Sequence, residues 1–338
     1  SSKANYANAH NNLGIVLQYL GRLHEAEACY TQAIALKPDY AEAHSNLGNT
    51  LKKFGRLEQA EVSYKRAISS NPDFADAYNN LGGTLQELGR FEEAIARYKQ
   101  AITLNPDFVE AHNDLGATLG ELGALDEAEE SYRRAIALKP GYAEAHSNLG
   151  ITLKELGRFD EAEASYRRAI ALEPDYAEAY SNLGVTLQEM GRLDEAEASH
   201  VQAVELRPEI AGAHSNLGNT LKELGKYDQA ESSYRLAITL SPSSVEAHSS
   251  LGVSLQEEGK LEDAEVSYKQ AIALKPDFAE AHHNLSFTLL HNSRLEEGLD
   301  EYEWRWQKPE NMPKYRHFSK PLWDGKESLQ GKRILLWS

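Results

Sequence analysis

The sequence predicts an all-α solenoid of nine tandem helix–turn–helix units, each 34 residues long, followed by a short C-terminal extension. Three observations predict it. Glycines at 14, 48, 82, 116, 150, 184, 218 and 252 recur every 34 residues, a second glycine series beginning at Gly21 follows the first by seven, and prolines at 38, 72, 106, 140, 174, 208, 242 and 276 close each unit. The units start at residues 7, 41, 75, 109, 143, 177, 211, 245 and 279, which sets 1–6 apart as an N-terminal tail, 7–312 as repeats and 313–338 as an extension. Such strict repetition excludes one compact globule, because each unit can touch only its neighbours.

Within a unit such as 143–176, AEAHSNLGITLKEL lacks breakers apart from one glycine and reads as a first helix. Gly157 can take the left-handed conformation that ends it. FDEAEASYRRAIAL reads as a second helix, which Pro174 cannot continue. Ala162, Tyr166, Ala169 and Ile170 share one apolar face of that helix, and Ala145, Leu149, Gly150 and Leu153 share one face of the first. Gly150 removes a side chain where the two helices must touch. Two such helices cannot bury their apolar faces alone, so the units must stack. The ninth unit carries Ser286 and Ser293 at the two glycine positions, Gly298 at an alanine position and Arg305 where alanine would pack, the pattern of a worn or capping repeat. The extension after Pro309 has no helical period, and its final run Lys332 to Trp337 reads as one strand without a sheet.

Composition narrows the function. Thirty-five Lys plus Arg against 52 Asp plus Glu give a formal charge of −17, which repels phosphate backbones, and no basic cluster offsets it locally, so nucleic acid is excluded as a partner. No apolar run is long enough to span a bilayer, so no membrane partner is expected. The single cysteine, Cys29, excludes a disulfide framework, and Ser1-Ser2-Lys3-Ala4 carries no signal-peptide core; a reducing, cytoplasmic compartment is expected.

The recurring L-G, A-x3-aromatic-x2-A and closing proline resemble the tetratricopeptide repeat, matched at eight of nine units over residues 7–278. A-x-A-H-S-N-L-G followed by L-K-E-L-G and E-A-x-x-x-Y resembles the repeats of O-GlcNAc transferases and their bacterial relatives. Glu301-Tyr302-Glu303-Trp304-Arg305-Trp306, then Phe318, Trp323-Asp324-Gly325 and Leu329-x-Gly331-Lys332-x-Ile334-Leu335-Leu336, resembles the junction where bacterial repeat-bearing glycosyltransferase-like proteins enter a nucleotide-sugar-binding domain. The resemblance implies a right-handed superhelix with the first helices on its concave side, and 313–338 as a linker and truncated first strand of such a domain.

The sixth residue of each unit is Asn12, Asn46, Asn80, Asp114, Asn148, Asn182, Asn216, Ser250 or Asn284. Asparagine is a mediocre interior helix residue because its amide competes with the backbone, so its retention needs another cause. A column of amides can bond an extended peptide backbone without reading its side chains. The resemblance implies this ladder in O-GlcNAc transferases, with Asp114 and Ser250 as weaker rungs; the alternative is that the amides bond across repeats and set the stacking. Acids at the second place (Glu42, Asp76, Glu110, Glu144, Glu178, Glu246, Glu280) and the thirteenth (Glu87, Glu121, Glu155, Glu189, Glu223, Glu257) lie on the same stripe. With Lys52, Lys53, Lys154 and Lys222 beside them, about nine of the excess negatives stay near this face, which favours neutral or basic segments. For the second place an acid in the first turn also simply complements the helix dipole. His10, His44, His112, His146, His214, His248 and His282 recur at the fourth place, one per helix and without the i, i+4 pairing of a zinc site, so core packing is expected and no metal or cofactor. Cys29, with no His-acid partner, reads as a small packing or surface residue.

The expectation is therefore a non-enzymatic scaffold that binds extended protein segments, as the recognition arm of a glycosyltransferase-like protein. A stand-alone, co-chaperone-type adaptor is the alternative, but basic residues at the second and fifth places, which clamp carboxylates in that class, are missing. An enzyme complete in this chain would need a phosphate-cradling glycine-rich loop after a strand, and the one strand expected ends the chain at Ser338. The apolar and basic extension (Lys314, Arg316, Lys320, Leu322, Trp323, Arg333, Trp337) is expected to pack on the last repeats near Trp304 and Trp306, or to mediate self-association.

Overall fold

The computed structural model describes residues 2–307 of the chain. The chain divides into two compact units, 1–207 and 208–338. The first holds α1 (Ser2–Tyr19), α2 (Leu23–Leu36), α3 (Ala41–Lys53), α4 (Leu57–Ser70), α5 (Ala75–Glu87), α6 (Phe91–Leu104), α7 (Val109–Glu121), α8 (Leu125–Leu138), α9 (Ala143–Glu155), α10 (Phe159–Leu172), α11 (Ala177–Glu189) and α12 (Leu193–Leu206). The second holds α13 (Ala211–Glu223), α14 (Tyr227–Leu240), α15 (Val245–Glu257), α16 (Leu261–Leu274), α17 (Ala279–His291), α18 (Leu295–Tyr302) and a 3-10 segment Glu303–Gln307. The fold is the all-α array of helix pairs that the period predicts, and the described residues contain no strand. Residues 2–6, expected as a tail, instead extend α1 by more than a turn. No helix among the described residues is long and apolar enough to cross a membrane.

Local chemistry fixes both breaks. After α9, Gly157 takes φ +74°, its N–H donates to the Lys154 carbonyl (2.9 Å), and the Arg158 N–H donates to the Leu153 carbonyl (2.8 Å). This paired closure satisfies the last carbonyls of the helix with the one residue that enters the left-handed region without strain. The second helices start without a side-chain cap; Arg158, at the boundary, instead folds onto Glu161 in the first turn with two bonds of 2.8 and 2.7 Å.

The core is a lock between a ring and a glycine. Ala162, Tyr166 and Ala169 are fully buried, and a Cβ placed on Gly150 would lie 2.6 Å from Cε1 of Tyr166, closer than carbon atoms can pack. The same contact joins Gly48 to Tyr64 and Gly82 to Tyr98 in the first unit, and Gly218 to Tyr234 and Gly252 to Tyr268 in the second. In the sixth repeat His200 takes the ring's place on Gly184, fully buried.

The ninth repeat departs as its sequence foretells. Ser293 adopts φ +60° where glycines stand elsewhere, α18 is only eight residues long, and Ser286 is fully buried. A Cβ on Gly298 would meet Leu290 at 2.8 Å, so this alanine position has closed up. Trp304 stacks on His282 at 4.0 Å, and the Arg305 guanidinium covers the Tyr302 ring at 4.2 Å. Residues 308–312 and the extension 313–338, with its strand and its contacts, lie outside the described residues.

Candidate interaction face

The sixth-place residues all lie on first helices, and the structure splits them into two kinds. Asn46 Nδ2 donates to Asn11 Oδ1 (3.1 Å) and Asn148 Nδ2 to Asn113 Oδ1 (3.2 Å), while Asp114 accepts from Asn79 Nδ2 (3.2 Å). In each case the partner is the fifth residue of the preceding repeat, so these three positions knit adjacent helices together. Asn12, exposed, and Asn80, Asn182 and Asn284, half-buried, make no side-chain hydrogen bond to the described residues. Asn216 and Ser250 are also half-buried. Burial raises the Asp114 carboxyl above its ordinary range, opposed by the Asn79 amide and helped by the nearby Glu144 charge.

The thirteenth-place acids Glu87, Glu121, Glu155, Glu189 and Glu223 are exposed, and in the first unit cross-repeat contacts reach Glu87, Glu121 and Glu189. Lys52 pairs with Glu87 at 2.9 Å, Lys154 with Glu189 at 3.6 Å, and Gln86 Nε2 donates to Glu121 at 3.0 Å. Lys222 is half-buried. The second-place Glu144 accepts from Asn113 Nδ2 at 3.1 Å. The acids are thus partly neutralised around repeats two, three, five and six, whereas Glu121 meets only a neutral amide.

Beneath this face the core tyrosines reach toward it. Tyr64 donates to Asn49 Oδ1 (2.7 Å) and Tyr98 to Gln86 Oε1 (3.1 Å) in the first unit, and Tyr234 donates to Asn219 Oδ1 (2.8 Å) and Tyr268 to Gln256 Oε1 (3.1 Å) in the second. Burial drives these four phenols up, and raises that of Tyr30 in the first repeat to about 12. Sequence reasoning missed this link, although a polar ninth or twelfth residue in the same repeat as the tyrosine was its signal.

The fourth-place histidines do more than fill space. The Nε2 of His44, His112, His146, His214, His248 and His282 lies 2.9 to 3.2 Å from the carbonyl of the proline six residues before it. A carbonyl only accepts, so Nε2 carries the proton. Each ring clips the incoming turn to its first helix. His112, His214 and His282 are buried and the others half-buried, so core packing describes only part of their role. The described residues hold no group of three His, Cys, Asp or Glu side chains able to bind a metal. Cys29 is half-buried and packs on the Leu17, Ala26 and Tyr30 cluster.

Comparison with known proteins follows the same geometry. A family model described as the cilia and flagella-associated protein 70 C-terminal domain matches residues 74–288, well over half of the chain, and a tetratricopeptide-repeat model matches 5–73. No curated protein matches. Among solved structures, the APC/C hetero-tetramer Cut9–Hcn1 superposes with a TM-score of 0.61 at 18% identity, over 79% of this chain and 52% of that one. The pilF protein of Pseudomonas aeruginosa gives 0.56 at 21% identity, over 62% of this chain and 95% of that one. This chain therefore spans about half the length of the Cut9–Hcn1 chain it resembles, and both likenesses speak to the fold.

Proposed function

Since the chain belongs to the tetratricopeptide-repeat family, most of it in the class of the cilia and flagella-associated protein 70 C-terminal domain, we propose that this interaction scaffold holds extended protein segments along its first-helix face, as the recognition arm of a glycosyltransferase-like protein. The repeats themselves suggest a protein–protein interaction scaffold. The observation that carries the finer reading is the set of amides at Asn80, Asn182 and Asn284, half-buried and without a hydrogen bond to the described residues. An amide that the rest of the chain leaves open on this face can both donate and accept, and a peptide backbone supplies an acceptor and a donor for it. The glycosyltransferase association rests on the resemblance of residues 301–336 to a domain junction.

Replacing Asn80 and Asn182 together by alanine tests the amide ladder. At ~1 kcal/mol for each rung, affinity for decapeptides selected on the parent chain falls roughly thirtyfold while helix content holds. Unchanged affinity with the fold intact refutes the ladder. The arm reading is tested separately, by measuring nucleotide-sugar binding by the natural full-length protein, which that reading requires.

A further inference from the structure

The fourth repeat, like the fifth, lacks a part that most of its siblings share. In repeats one, two, three, seven and eight the core tyrosine hydroxyl ends on an asparagine or glutamine at the ninth or twelfth place of the same repeat. In the fourth repeat those places are Ala117 and Gly120, which offer no acceptor. The Tyr132 ring still lies on its glycine, 2.8 Å from an ideal Cβ on Gly116, so its hydroxyl is aimed as the others are. It finds no hydrogen-bond partner among the described residues. Tyr132 is 4% exposed, against 0% for Tyr30, Tyr64, Tyr166, Tyr234 and Tyr268. A Cβ on Gly120 would meet nothing within 4 Å, so the place that carries the acceptor in repeats one, three and eight is open here.

That opening is surrounded by negative charge. After burial, the carboxylates of Glu144, Asp114, Glu121 and Glu155 are what raise the Tyr132 phenol above its ordinary value. Glu155 makes no ion pair to the described residues, because the twelfth residue of the repeat before it is Gly120. Lys52, whose charge also reaches Asp114, pairs with Glu87, and Lys154 pairs with Glu189. A hydroxyl at the open end of a nearly buried ring, without a partner among the described residues, the open place at Gly120 beside it and a Glu155 without an ion pair together describe a place suited to a donor that carries positive charge.

We propose that Tyr132, Ala117, Gly120 and the flanking Asp114 and Glu144 form a subsite for one basic side chain, an arginine or lysine of an extended protein segment lying on the first-helix face. The N–H groups of that side chain donate to the Tyr132 hydroxyl oxygen and to the carboxylates. Its aliphatic stem covers Ala117 and Gly120. The inference rests on the extended-segment reading above and adds to it where along the face the specificity sits.

The test is a selection of displayed random decapeptides on the 338-residue chain, followed by affinities for Gly120→Gln and Asp114→Asn. Both substitutions install residues that other repeats carry at the same place, Gln86 and Asn80, and circular dichroism checks that helix content is kept. The selected peptides are expected to share one arginine or lysine. Replacing that residue by neutral citrulline or norleucine weakens binding about tenfold on the parent chain and much less on either variant. Selected peptides without a shared basic residue, or a penalty equal on parent and variants, overturn the subsite while leaving the extended-segment reading standing. If no peptide is enriched at all, that reading fails and the subsite with it.

Discussion

Repeats five and six lie side by side in the first unit, and their second helices, FDEAEASYRRAIAL and LDEAEASHVQAVEL, differ at the residue that fills the core. In one, Tyr166 lies on Gly150; in the other, His200 lies on Gly184, with ideal Cβ distances of 2.6 and 2.5 Å. Neither ring has a hydrogen bond for its polar atoms, the Tyr166 hydroxyl or the two nitrogens of His200. The glycine is therefore demanded by a ring and not by a hydroxyl. Whether the ring's polar atoms are satisfied depends on residues elsewhere in the repeat. In repeat five the ninth and twelfth places are Ile151 and Lys154, which offer the phenol no acceptor. The two repeats share one packing solution and differ in its electrostatic cost, since an imidazole can be protonated within the physiological range and a phenol cannot.

The largest effect expected from this difference is acid sensitivity at repeat six. Burial alone lowers His200 to about 4 from an ordinary 6.5. The unfolded chain then takes up the proton first, so stability is full above about pH 6.5 and is lost as the pH falls toward 4. The loss approaches roughly 3 kcal/mol at the acid end. Burial also lowers His146, so the parent slope is not due to His200 alone. His200→Tyr should remove most of the loss of amide protection in α11 and α12 between pH 6.5 and 4, as read by hydrogen exchange. Equal pH profiles for parent and variant would break the comparison.

The next effect concerns what the two repeats share. Gly150→Ala forces a methyl against a fully buried ring, and overpacking of this kind costs roughly 1–3 kcal/mol, partly offset by the ~0.5–1 kcal/mol that alanine gains in a helix. A net loss near 1–2 kcal/mol is expected in urea unfolding, with a similar loss for Gly184→Ala. Gly212→Ala, where a Cβ meets nothing within 4 Å, should instead stabilise slightly. The ninth repeat shows the other way out. With Ser286 at the glycine position, Tyr302 stacks over His283 at 5.7 Å, and the second helix is cut short. If Gly150→Ala and Gly212→Ala change stability in the same direction, the lock is not what fixes these glycines.

Much of this was legible in the sequence because repetition turns a single contact into a periodic signal. Gly150, Tyr166, Gly157 and Pro174 each announce a backbone or packing event that depends on near neighbours, and all four behave as read. The wear in repeat nine was visible for the same reason. What could not be read were contacts between repeats, which depend on the angle between successive helices. Asn46 and Asn148 show the limit. Their sixth-place periodicity marks a column, but only the folded structure shows that these two reach back to Asn11 and Asn113 while Asn80 and Asn182 do not. The histidine clip was hidden for another reason. His146 and Pro140 are six residues apart, a spacing that belongs to no helical face because a turn intervenes.

The smallest effect lies on the second helices and separates packing from charge. In the first unit Arg56 reaches back to Glu27 at 2.8 Å, Arg90 to Glu61 at 2.9 Å, Arg158 to Glu129 at 2.6 Å and Arg192 to Glu163 at 2.5 Å. Each arginine is the sixteenth residue of its repeat and each glutamate the twenty-first of the repeat before. One step breaks the column, where Ala124 stands for the arginine and Ile95 for the glutamate, and both pack on the core cluster instead. An ion pair has been exchanged as a unit for an apolar contact. Ile95→Glu alone strands an acid at a half-buried place, and Ala124→Arg alone adds a cation with no acid behind it. Together they rebuild the pair found on either side. A double-mutant cycle should give a favourable coupling of ~0.2–1 kcal/mol that shrinks in high salt, because the neighbouring arginines are about 35–41% exposed and exposed pairs are screened. A coupling of zero at low salt would mean that the column contributes nothing to holding repeats together, and that the ring–glycine lock and the apolar faces do so without it.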